Sequence, residues 1–300
     1  MINAGQGSDI VTTRSMTSQV MDLANSRRQS RTMSPRPFPR TRPSITASEQ
    51  LRQLRRQAKL SQLDLALMSG ISQRHLSCIE TGRAKPSAGT LHNLLMALDA
   101  PLEHCNSVFL ASGYAPRYEA TPLTSPNMEA VRDAITHLLH ANNPAPAIVL
   151  GSQWEILAAN ASTGVLFDLV GLSADAAEGL NLLVTLLEPG GLGDHLNNVE
   201  EIRLIAWQRA AREALSNPGL ATLLKSLPSP QEASTLTNEL PPLVLTRLDS
   251  RHGELKFMST FTTFGMPLDI TMESLRIEHL IPADARTWEI MARAYGQLKC

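Results

Sequence analysis

Between residues 48 and 111 the apolar positions recur three and four apart in short runs, most opened by a hydroxyl side chain and closed by a glycine. Ser48 opens a run holding Leu51, Leu54 and Ala58, spaced to share one face of a helix. Ser61 opens the next, with Asp64 three positions on in a capping-box pattern. Gly70 closes it, because glycine enters the left-handed conformation that a tight turn needs. Ser72 opens a third helix, Gln73 to Glu80, ended by Gly82. A fourth starts near Ser87 and carries Leu91, Leu94, Leu95 and Leu98, and a fifth runs from Pro101 to Ala111, stopped by Gly113. The pattern predicts an all-α domain of five short helices over residues 46–113.

The texture then changes. YAPRYEATPLTSPN, residues 114–127, holds three prolines and no periodicity, which marks a linker. Residues 128–300 form the second domain. A helix from Met128 to His140 precedes AIVL (147–150) and WEILAAN (154–160), two strand-like runs separated by GSQ, as in a hairpin. A helical middle follows, including VEEIRLIAWQRAAREAL (199–215). Three further strand candidates come next: LVLTRL (243–248), ELKFMSTFTTF (254–264) and TMESLRIEHL (271–280). A closing helix starts near Pro282. Strands, helices, then strands predict an α+β domain with one mostly antiparallel sheet. Residues 1–45 are rich in Ser, Thr, Arg and Pro and read as a disordered basic tail. A start codon placed too far upstream would explain them equally, since Met16, Met21 and Met33 follow.

Composition narrows the function. With 43% apolar residues, 300 residues can fill two cores. No apolar run approaches the length of a membrane span. Cys78, Cys105 and Cys300 form no CxxC pair, which suits a reducing cytoplasm and argues against a disulfide scaffold or structural zinc. The net charge of −1 hides a basic front and an acidic rear. Between Thr46 and Leu98, Arg52, Arg55, Arg56, Lys59, Arg74, Arg83 and Lys85 face only Glu49, Asp64 and Glu80. That asymmetry suggests a polyanion-binding module joined to a second part with another task.

Two short helices joined by a glycine turn match helix-turn-helix geometry, in which the N-terminal turn of the second helix meets base edges in the major groove. Gln73, Arg74 and His75 occupy that turn. Gln pairs bidentately with adenine and Arg with guanine. The string LRxLRRxAKLSQLDLALMSGIS, then IETGRAKPS, then LHNLLMAL, resembles the Cro/phage-repressor-type helix-turn-helix domain of the xenobiotic-response-element family. The resemblance implies that Gln62 holds a phosphate and braces Gln73. Gln73, Arg74 and Ser77 then read bases, with His75 and Cys78 as secondary candidates. It also implies that Arg83 and Lys85 contact phosphate and that Arg55 pairs with Glu80. A free cysteine such as Cys78 is otherwise a small buried apolar residue.

In the rear half PAIVLGSQWEILAANA, NLLVTLLEPGGLGDHLNNVEE and STFTTFGMPLDITMESLRIEHLIPADARTW resemble the ligand-binding domain of MmyB-like transcription regulators. This implies a PAS-like fold, a curved antiparallel sheet with helices over one face, enclosing a small, fatty-acid-like ligand. Strand alternation nominates Trp154, Ile156, Leu157, Phe257, Phe261 and Phe264 as lining residues, with Asn160 as a polar contact; plain core and a helix cap are the simpler roles for these. His137, His140 and His195 lack a metal-binding spacing, and EPGGLGDH lacks the strand and helix of a phosphate loop. The reading is therefore a cytoplasmic homodimeric regulator of double-stranded DNA, with a pseudo-palindromic operator, no cofactor and no membrane partner. A DNA-tethered adaptor for another polypeptide and an enzyme acting on a small molecule are the competing classes; no catalytic constellation supports the latter.

Overall fold

The computed structural model describes residues 46–173, 179–215, 217–230, 243–265 and 267–298; the basic tail expected over 1–45 and Cys300 lie outside them. The chain forms two units. One comprises residues 46–121 together with 267–273, and the other comprises 122–265 and the residues from 274 onward.

The first unit holds α1 (Ala47–Gln57), α2 (Gln62–Ser69), α3 (Gln73–Glu80), α4 (Ala88–Ala97) and α5 (Leu102–Ala111). Ser61, Ser72 and Ser87 cap α2, α3 and α4 as expected, and Ser61 with Asp64 completes a capping box. Ser48, however, lies inside α1. Its cap is Thr46, whose hydroxyl accepts from Glu49 N while the Glu49 carboxylate accepts from Thr46 N. The capping signature is T-A-S-E, two residues earlier than the sequence reading placed it. Leu51, Leu65, Leu76, Ile79, Leu91, Leu94 and Leu95 make one core.

Two segments beyond α5 join this unit. Residues 114–121, expected in the linker, pack onto it: Tyr118 is buried in the helical core, and Asn106 accepts from the backbone N–H of Arg117 and Tyr118. The second segment comes from far along the chain. Ile270 packs on the same core and its N–H donates to Glu119 O. Asp269 accepts from Thr121 N (3.0 Å) and Glu273 from Leu102 N (2.9 Å). Pro101 gives α5 no side-chain cap, so Glu273 supplies the missing acceptor at its first turn.

The second unit is built on a five-stranded antiparallel sheet, order β2-β1-β5-β4-β3, with β1 (Ala147–Leu150), β2 (Ile156–Ala159), β3 (Thr246–Leu248), β4 (Leu255–Thr263) and β5 (Arg276–Pro282). Around it lie α6 (Glu129–Asn142), α7 (Ala161–Val170), α8 (Leu182–Leu187), α9 (Val199–Glu213), α10 (Pro218–Ser226) and, at the end, α12 (Ala285–Gln297), α11 being the short helix Ile270–Ser274. Helices over one face were expected, but both faces are covered at β1. Ile148 and Leu150 enter a large core with α7, α8, α10 and α12, while Ala147 and Val149 meet Ile135 and Leu139 of α6. Burial on both sides is why AIVL is apolar throughout instead of alternating. The expected strand over 271–280 begins only at Arg276. Asp269 accepts from Thr271 N and Met272 N, which turns the preceding residues into α11.

Candidate nucleic-acid interface and buried polar cluster

Successive residues of a helix stand about 100° apart. On α3 Leu76, Ile79 and Glu80 are buried, so Arg74, Ser77 and Cys78 occupy the outward side, with Gln73 and His75 on its two flanks. Gln73, Arg74 and His75 are exposed; Ser77 and Cys78 are half-exposed. Cys78 is thus no buried apolar residue, unlike Cys105, which is fully buried and whose thiol burial pushes up to about 12.

What holds this face in place is a buried ionic knot. Arg55 Nε and Nη2 donate to Glu80 Oε1 and Oε2 at 2.6 and 2.9 Å, and Arg55 Nη1 donates to Leu60 O. The two side chains are 12% and 2% exposed. Burial pushes the Glu80 carboxyl up, but hydrogen bonds from Arg55 and Gln62 and the charge of Arg55 outweigh it and hold the group below the usual carboxylate range. Gln62 does not brace Gln73: its amide donates to Glu80 Oε2 at 2.8 Å, so its anchor is the ion pair. A buried carboxylate with an open lone pair recruits the nearest donor, and no spacing in the sequence distinguishes Gln73 from Glu80 as the partner of Gln62.

Arg83 and Lys85 follow α3 in an exposed loop. Arg83 Nε donates to Thr81 Oγ1 (3.0 Å), and Lys85 Nζ sits 4.8 Å from the centre of the Tyr114 ring, whose hydroxyl donates to Pro86 O. Both cations are oriented while still solvated. The arrangement presents exposed donors on α3 and two positive charges in the loop that follows it, which suits a groove lined by phosphate.

In the sheet unit the nominated lining residues divide between two cores, Trp154, Ile156 and Phe257 falling in the larger one. Phe257 is fully buried in the large core, Phe261 lies on the same face of β4 but is 41% exposed, and Phe264 packs in the opposite core. Ile156 joins the large core and Leu157 the opposite one. Asn160 is consumed by structure. Its Oδ1 accepts from Ala147 N and Thr163 N, its Nδ2 donates to Leu139 O and Ala145 O, and it caps α7.

Trp154 leads instead to a cluster that sequence reasoning missed. It takes a left-handed backbone (φ 66°), rare for a bulky residue, and its Nε1 donates to Glu213 Oε2 at 2.8 Å. Glu213 also accepts from Arg276 Nη1 (3.1 Å) and Arg209 Nε (2.9 Å). The Arg276 guanidinium lies 4.7 Å from the Trp154 ring centre and that of Arg209 lies 3.7 Å from Phe261. Glu278, two residues along β5, accepts from the Ser259 hydroxyl, and burial pushes its carboxyl up despite that bond. The one available signal was R-I-E at 276–278, two charges flanking an apolar residue within a strand paired on both sides.

A family model described as the MmyB-like transcription regulator ligand binding domain matches residues 131–294, and one described as helix-turn-helix matches residues 51–104. No curated protein matches the chain. A solved structure described as an RNA-binding Light-Oxygen-Voltage receptor aligns with 99% of this chain and 69% of that one at 14% identity, with a TM-score of 0.26, too low to carry an argument.

Proposed function

The chain belongs to the MmyB-like transcription regulators, and from that premise we propose that it reads a specific operator through α3 and senses a small, largely apolar, fatty-acid-like ligand in its sheet unit. One observation carries the DNA reading above the rest. The outward side of α3 is polar and exposed, yet its pitch is set from behind by the Arg55–Glu80–Gln62 knot. A rigid helix offering Arg74, Ser77 and Cys78, flanked by Gln73 and His75, fits the major groove, and Arg83 and Lys85 fit the phosphates beside it.

One such helix covers few base pairs, so the working form is a homodimer on a pseudo-palindrome with half-sites about one helical turn apart. Signal passes along the chain itself. The β4–β5 connection leaves the sheet, packs Ile270 into the helical core, caps α5 through Glu273 and returns at Arg276. A ligand that shifts β5 therefore pulls on the DNA-binding unit, and a coupling of about 1–3 kcal/mol in operator affinity is expected. Selection of bound sequences from a random DNA pool, at stated salt, tests the proposal. Paired half-sites one turn apart are expected, and a selected pool indistinguishable from the starting one refutes it.

A further inference from the structure

The ionic knot in the helical unit and the polar cluster in the sheet unit use the same side chain differently. Arg55 turns the edge formed by Nε and Nη2 to a carboxylate, two parallel N–H···O bonds to Glu80. Arg276 is 8% exposed, buried as deeply, and spends only Nη1, on Glu213. Its Nε and Nη2 are buried and find no hydrogen-bond partner among the described residues. Leaving buried donors unsatisfied costs about 1–3 kcal/mol each, and more on a charged group. The two orphaned donors form the planar fork that matches a carboxylate bidentately.

The surroundings favour an anion there. Arg209 and Arg276 share the single carboxylate of Glu213. Glu278 is a second acid on this face among the described residues, but its carboxyl is engaged by Ser259 and its burial favours the neutral form. Around the guanidinium stand Trp154, its ring centre 4.7 Å away, and Leu150, its neighbour across the β1–β5 ladder. The face reaches solvent at Phe261, covered by the guanidinium of Arg209.

We infer that the Nε/Nη2 edge of Arg276 anchors the carboxylate of a small organic acid whose apolar remainder is taken up by the core around Trp154. The inference rests on the ligand-sensing reading and deepens it by assigning the head group and the residue that holds it. Arg276 opens β5 shortly after the segment that belongs to the helical unit, so the occupant sits where the signal leaves the sheet.

Calorimetric titration of the full chain with dodecanoate, its methyl ester and acetate tests this, repeated on Arg276→Gln and Arg276→Lys. Dodecanoate is expected to bind about tenfold or more tighter than the ester, because a bidentate charge-assisted pair is lost with the ester. Both variants should bring the acid down to the ester; Arg276→Lys keeps the charge without the fork, and a thermal melt confirms that each variant is folded. Equal binding of acid and ester, or an undiminished acid preference in a folded variant, overturns the head-group assignment and leaves the sensing reading standing. Acetate binding as tightly as dodecanoate overturns the apolar part. If acid, ester and acetate all fail to bind, and native mass spectrometry finds no small molecule held by the purified chain, water alone serves the edge and the sensing reading falls with it.

Discussion

Replacing Glu80 with alanine removes the acceptor of three hydrogen bonds at once: two from Arg55 and one from Gln62. Hydrogen bonds to charged groups contribute about 1.5–3 kcal/mol each, so a naive sum is roughly 5–9 kcal/mol. Desolvation of the carboxylate and guanidinium offsets part of it, and removing one partner of a buried pair costs about 3–5 kcal/mol. Against a stability of roughly 4–11 kcal/mol for a domain of this size, the variant loses a large share. Urea melts of the full chain, followed by helical circular dichroism, provide the assay, arranged as a cycle of Glu80→Ala, Arg55→Ala and the double variant. The double should be less destabilised than the sum, by more than about 1 kcal/mol, since each single leaves a buried unpaired charge. Additivity within about 0.5 kcal/mol would refute the reasoning. The pH dependence has a fixed sign. The folded Glu80 is held below its unfolded pKa of about 4.3, so its stabilisation is present above that value and is lost as pH falls through the folded pKa. Glu80→Gln should flatten that acid limb.

Other consequences are as direct. Arg74→Ala should relax sequence preference and cost about 1–3 kcal/mol at the selected operator; equal weakening on all DNA would make Arg74 a phosphate contact. Lys85→Ala should weaken binding to every sequence and lower the salt slope by about one, which a binding titration across salt concentrations reads. Glu273→Ala should cost about 1 kcal/mol through the lost cap on α5 and reduce the effect of ligand on operator affinity. Burial, with Asp99 and Glu103 nearby, raises the folded Glu273 above its unfolded pKa despite the bond from Leu102. Its contribution is therefore most favourable below about 4.3 and is lost as pH rises through the folded value. Glu273→Gln keeps the acceptor, so melts near neutral pH should show equal or higher stability and a flatter pH profile.

Much of the helical unit was legible because its signals are local. Ser61, Ser72 and Ser87 cap the helices they precede, and a left-handed Gly70 ends α2. Leu76 and Ile79 fall inward, as helical spacing requires, leaving Gln73, Arg74 and His75 outside. The sheet unit was legible in class and less so in detail. AIVL pairs with the strand containing ILAA as a hairpin, but TMESLRIEHL hides a boundary, because Asp269 caps a turn whose Ile270 packs in the other unit. The aromatic residues chosen by alternation were distributed between two cores, since alternation tells side from side and not which side is closed.

What the chain dictates unaided is each helix's span, its inward stripe and the polar turn it leaves in water, since these depend on neighbours three or four residues away. Partners across long separations belong to the folded state. Gln62 meets Glu80, Glu273 caps a helix 171 residues earlier, and Arg276 keeps a buried edge without a partner among the described residues. Burial decides those pairings: once water is excluded a charged or polar group must find whatever the packing brings within reach, and packing is a property of the whole fold.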